Sequence, residues 1–110
     1  MPIFISRGRY TAESIKKLVA NPQDRNESVK ALCEATGVKL LSWYVTLGEH
    51  DFITIIEAPS AKEASATVLA AAAGGGVTDV ETTQAFTGAE AKEVFAHASK
   101  GAAKYRPPGH

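Results

Sequence analysis

The chain has 110 residues, with twelve Lys and Arg against twelve Asp and Glu, 45% apolar and 22% charged residues, and a formal net charge of +0. That profile fits one globular domain and excludes a disordered chain, a helical rod and a disulfide scaffold. With no basic excess the chain does not read as a nucleic-acid binder. Its one cysteine, Cys33, predicts a reducing, cytoplasmic setting. The longest nearly uncharged stretch, residues 64–77, is mostly alanine and ends near three glycines, so no membrane partner is expected.

Taken in chain order, residues 2–9 read as a strand. Thr11 follows as a helix N-cap, with Glu13 in the first turn where the helix dipole favours an acid. Ile15, Leu18 and Val19 repeat at helical spacing until Asn21-Pro22 interrupts them. Val29, Leu32, Cys33 and Thr36 continue on one face of a second helical piece, closed by Gly37. Residues 38–47 and 52–58 are rich in β-branched and aromatic types and flank a turn at 48–51, which makes a β-hairpin. Ser60 caps an alanine-rich helix to about residue 73. Residues 77–86 form an edge strand, and a last helix covers about 89–99. The order β-α-β-β-α-β plus an extra C-terminal helix predicts an α+β, ferredoxin-like four-stranded antiparallel sheet. Residues 1–99 form the domain and residues 100–110 a basic tail.

The hairpin sorts the sheet faces. With paired residues summing to about 98, Leu41, Trp43, Val45, Ile53 and Ile55 share the face expected under the helices, with Glu57 at its end. Ser42, Tyr44, Thr46, Phe52, Thr54 and Ile56 share the other. That second face is uncharged, whereas a solvated face usually is not. A second copy is its economical cover, so a dimeric α+β barrel is expected, formed through Tyr44, Phe52 and Ile56.

The run Tyr44-Val45-Thr46-Leu47-Gly48-Glu49-His50-Asp51, followed by Glu57-Ala58-Pro59, resembles the GYD-domain family, as do Glu81-Thr82 and Ala85-Phe86. The resemblance covers roughly residues 2–95 and implies a small ferredoxin-like protein of dimeric α+β barrel type, with no agreed biochemical activity. His50 stands where the family's Gly-x-Tyr-Asp turn has its tyrosine. A shorter similarity, a Gly-x-x-Asp hairpin, links the chain to the effector domains of Lrp/AsnC-type regulators.

The expected site follows from the face assignment. Tyr44, Thr46 and Thr54 line a partly apolar pocket inside the barrel, and His50 and Asp51 stand at its rim. Gly48 is read as a backbone requirement of the turn, and Cys33 as a small buried hydrophobe. No residues stand at metal-ligand spacing and no cofactor is expected. The favoured function is a homo-oligomeric module binding a small molecule. The alternatives are a small cofactor-independent enzyme, oxygenase- or isomerase-like, using the same pocket, and a purely structural oligomer.

Overall fold

A computed structural model describes residues 1–109. The elements are β1 (Ile3–Tyr10), α1 (Ala12–Ala20), α2 (Asn26–Thr36), β2 (Lys39–Val45), β3 (Phe52–Glu57), α3 (Ala61–Ala73), β4 (Val77–Ala85) and α4 (Gly88–Ala102). The sheet order is β2-β3-β1-β4, with every neighbouring pair antiparallel. Each helical crossover therefore skips a strand, which is the ferredoxin-like arrangement. Among the described residues no helix is long and apolar enough to cross a membrane.

Local chemistry sets the boundaries. The Thr11 hydroxyl accepts from the Ser14 amide and starts α1. Gly37, at φ 79, ends α2, and its amide donates back to the helix carbonyls. Thr87 and Glu90 exchange hydrogen bonds in a capping box that starts α4.

The core lies between one sheet face and α2 and α3. Phe4, Cys33, Val38, Ile56, Ala58 and Ala64 form it, with Val29 and Leu40 packed at its edge. Two hydroxyl pairs are set into this layer. Thr36 meets Thr67 at 2.6 Å, linking α2 to α3, and Ser6 meets Thr82 at 2.8 Å, linking β1 to β4.

The register corrects the predicted faces. Tyr44 lies opposite Ile53, Trp43 opposite Thr54 and Val45 opposite Phe52, a pairing sum of 97 in place of 98. A bulge at Leu41 then shifts the pairing again, so Leu40 opposes Ile56. A one-residue slip exchanges the faces of a whole strand. Phe52, Thr54 and Ile56 consequently point under the helices, while Ile53, Ile55 and Glu57 point away from them. Trp43 is on the helix side, as predicted. The expected barrel face of Tyr44, Phe52 and Ile56 thus keeps only Tyr44.

The face away from the helices reads as three rows across the sheet. The middle row is Ser42, Ile55, Ile5 and Thr83. One flanking row is Tyr44, Ile53, Arg7 and Glu81, and the other is Lys39, Glu57, Ile3 and Ala85. The four isoleucines are only half-buried and Tyr44 is 60% exposed.

The helix α4 runs to Ala102, beyond the predicted end at residue 99. None of its residues is buried. The radius of gyration is 17.6 Å and the long axis 58 Å, against about 13 Å for the radius of a compact chain of this length. The excess is α4 standing off the body, with Val94 and Phe95 in solvent, Phe95 at 73% exposure.

Candidate functional site

A chamber of about 390 Å³ lies between the sheet and the helix layer. Its floor is the covered face of the sheet, where Ser6, Trp43, Phe52, Thr54 and Val80 point inward. Its walls come from Leu18 of α1, Val29, Leu32 and Cys33 of α2, and Thr67, Val68 and Ala71 of α3. The void has a sequence cause. The sheet-facing positions of α3 are small (Ala64, Thr67, Val68 and Ala71), so the helix covers the sheet without filling the space beneath it.

Gly8 positions the floor. A Cβ there would lie 2.6 Å from the Phe52 ring and 2.9 Å from Val80. The ring crosses the β1 backbone at this point, where the β1–β4 register also shifts, and meets the Tyr10 ring at a centroid distance of 5.4 Å. Outside Tyr10 the chamber adjoins a shallow groove lined by Ile15, Val19, Val45 and Leu47.

The chamber opens at the α1–α2 connection. Tyr10, Lys17, Gln23, Arg25 and Ser28 stand there. Arg25 donates through Nη1 to Gln23 Oε1 at 3.0 Å and to Ser28 Oγ at 3.2 Å. Burial pushes the Tyr10 phenol up, the Arg25 charge pulls it back down, and Asp51 raises it further. At the inner end Cys33 is 1% exposed, and burial raises its thiol above the ordinary range, with Glu34 adding to the shift. The sulfur is held as a neutral thiol, a small apolar atom in the wall.

The five residues expected to form one pocket are dispersed. Thr54 lines the chamber under the helices. Tyr44 is on the opposite face, separated from Thr54 by the one-residue register slip. Thr46, His50 and Asp51 build the hairpin turn. The Thr46 hydroxyl donates to the His50 carbonyl at 2.7 Å, and the Thr46 amide to the Asp51 carbonyl at 2.9 Å. Asp51 ties the turn to β1: its amide donates to the Gly8 carbonyl at 2.7 Å, and its Oδ2 accepts from the Tyr10 amide at 2.9 Å. The left-handed residue of the turn is Leu47, at φ 49, and Gly48 has open space around it. The conformational demand assigned to Gly48 therefore falls on its neighbour.

Sequence reading missed Ser6, Tyr10 and Arg25 as lining residues and treated Trp43 as packing. The available signal was the alanine content of α3, which leaves too little side-chain volume to fill the space over a face holding Phe52 and Trp43.

Three comparisons bear on identity. A protein of Thermus thermophilus, named glutamine synthetase and cystathionine beta-lyase binding protein, is 32% identical over 77 residues, which are 70% of this chain and 81% of that protein. A crystal structure of an FFRP protein superposes with a TM-score of 0.47 at 19% identity, spanning 78% of this chain and 100% of its own. The GYD domain model matches residues 4–95, a span that holds the sheet from Phe4 onward, the chamber and the first part of α4: the chain belongs to the GYD domain family.

Proposed function

We propose that the chain works as a homo-oligomeric binding module in the cytoplasm. A second copy covers the open sheet face, and a small molecule occupies the chamber beneath the helices. The chamber carries this reading. A void of about 390 Å³ with an apolar interior and a polar mouth has the makeup of a ligand site. Among the described residues its lining side chains include hydroxyls, a thiol and two cations, but no carboxylate or imidazole. Proton-transfer chemistry needs a base held within reach of the substrate, so binding fits this lining better than catalysis.

The open face supports self-association. Its middle row is uncharged, and the flanking rows carry Arg7 with Glu81 and Lys39 with Glu57. Equal numbers of each sign let the face meet its own copy across a two-fold axis, with the isoleucines desolvated between the sheets. The resulting assembly is the dimeric α+β barrel, now built on Ile3, Ile5, Ile53 and Ile55. Native mass spectrometry of protein purified from its own host tests both parts. The expected result is a dimer, or a multiple of dimers, carrying a small adduct. A monomer at micromolar concentration in sedimentation overturns the oligomer, and a chamber that takes no apolar probe overturns the binding role.

A second reading has its own observation. The Thermus thermophilus relative is named for binding two enzymes, and α4, none of whose residues is buried, presents Val94 and Phe95 to solvent. In this reading α4 docks on a partner enzyme. Surface plasmon resonance against purified glutamine synthetase and cystathionine beta-lyase of the same organism tests it. Binding should be lost in Phe95→Glu, and failure of the unaltered chain to bind either enzyme rejects the reading.

A further inference from the structure

We infer that the chamber takes a small aromatic monocarboxylate, its ring beside Trp43 and Phe52 and its carboxylate at Arg25. The inference rests on the reading of the chamber as a ligand site and adds the chemical class of the occupant.

The first observation is where polarity remains available. Deep in the chamber the Ser6 and Thr67 hydroxyls are already engaged, which leaves Thr54 as the free one among the described residues. Ser6 is bonded to Thr82, while Thr67 meets Thr36 and donates to the Glu63 carbonyl at 2.9 Å. A ligand's polar group placed there would lose its water and find few free partners. The mouth differs. Lys17 and Arg25 are the charged side chains of the lining, and both are cations.

The second observation is how Arg25 is held. Gln23 and Ser28 grip one terminal nitrogen, Nη1, and both residues also line the chamber. Among the described residues Nη2 and Nε have no hydrogen-bond partner, and no carboxylate lies within ion-pair distance of the guanidinium. The neighbouring Asp24 lines the adjoining groove and makes no ion pair with Arg25 among the described residues; its Oδ1 accepts from the Asn26 amide at 2.9 Å. The guanidinium is thus fixed by neutral groups, with one planar edge free. That edge matches the two oxygens of a carboxylate. Lys17 is a weaker second cation, 76% exposed and already paired with Glu13 at 3.1 Å.

The third observation is the shape of the interior. An apolar cavity of about 150 Å³ holds a benzene ring, so about 390 Å³ has room for a ring and a short linker. Trp43, Phe52 and Tyr10 offer ring faces and edges to an aromatic guest.

Trp43 is the chain's one tryptophan and lines the chamber, so its fluorescence reports occupancy directly. Three probes share a phenyl ring and linker and differ in the head group: phenylbutyrate, phenylbutyramide and phenylbutylamine. The acid should bind roughly tenfold or more tighter than the amide, the scale of one charge-assisted hydrogen bond, and the amine most weakly. Arg25→Gln should bring the acid down to the amide, and Arg25→Lys should restore part of the difference. Ala71→Phe, which fills the chamber from α3, should abolish binding of all three. If no probe binds the unaltered protein, the ligand-site reading itself fails. If acid and amide bind equally, the chamber stands and the carboxylate assignment falls. An acid preference that survives in Arg25→Gln, or binding that survives in Ala71→Phe, places the contact elsewhere and overturns the inference.

Discussion

The apolar residues on the two faces of β3 are nearly alike and have opposite fates. On β3, Phe52 and Ile56 are buried under helices, while Ile53 and Ile55, one residue away, are half-buried on the opposite face. Hydrophobicity alone does not say which face a chain covers by itself. That choice is made by the hairpin register and by the crossovers. The covered face holds the chain's own stability, and the open face is the one that the proposed dimer would bury.

Lysine substitution on either side gives the largest contrast. Ile56 is 2% exposed, so Ile56→Lys strands an ammonium in the core and should cost several kcal/mol, enough to abolish the cooperative thermal transition in circular dichroism. Ile55→Lys should keep the protomer's fold and shift sedimentation velocity to the monomer. Identical unfolding of the two variants would erase the distinction between the faces.

Glycine substitution sharpens the contrast at lower cost. Gly8→Ala pushes a methyl group into the Phe52 ring and Val80, and should destabilise by about 1–3 kcal/mol in urea titration. Gly48→Ala meets open space in the turn and should stay within about 0.5 kcal/mol of the parent. The reverse ranking would mean that the turn, not the crossing of Phe52 over β1, needs a glycine.

The smallest effect is expected at Leu47. A left-handed backbone is unfavourable for an L side chain, and Leu47 is largely exposed. Leu47→Gly should therefore raise stability by up to about 1 kcal/mol, read from the same titration. A loss of stability would show that the leucine contributes packing in the groove beside Val19 and Val45.

Element order was legible in the sequence because caps and periodicity are local. Thr11, Gly37 and Ser60 each mark a helix end where the structure has one. Pro22 lies in the break between α1 and α2. The faces were not legible for β3. Its alternation carries no polar phase, since Phe52 and Ile56 on one side are matched by Ile53 and Ile55 on the other. Register then depended on the turn, and the bulge at Leu41 added a second shift. The candidate site inherited that error: Tyr44 and Thr54 were joined by a pairing one residue out. Cys33 was read correctly as a buried apolar position because it sits on an uninterrupted helical stripe.

The alanines of α3 reach beyond packing. They make the chamber's capacity a property of one helix wall, separate from the sheet that sets the fold and from the Arg25 end that sets its charge. A change from alanine to valine or leucine at position 71 would shrink the space by a few methyl groups and leave both untouched. In the proposed binding role, a scaffold arranged this way can retune which molecule it takes, or become solid, in single steps that each remain foldable.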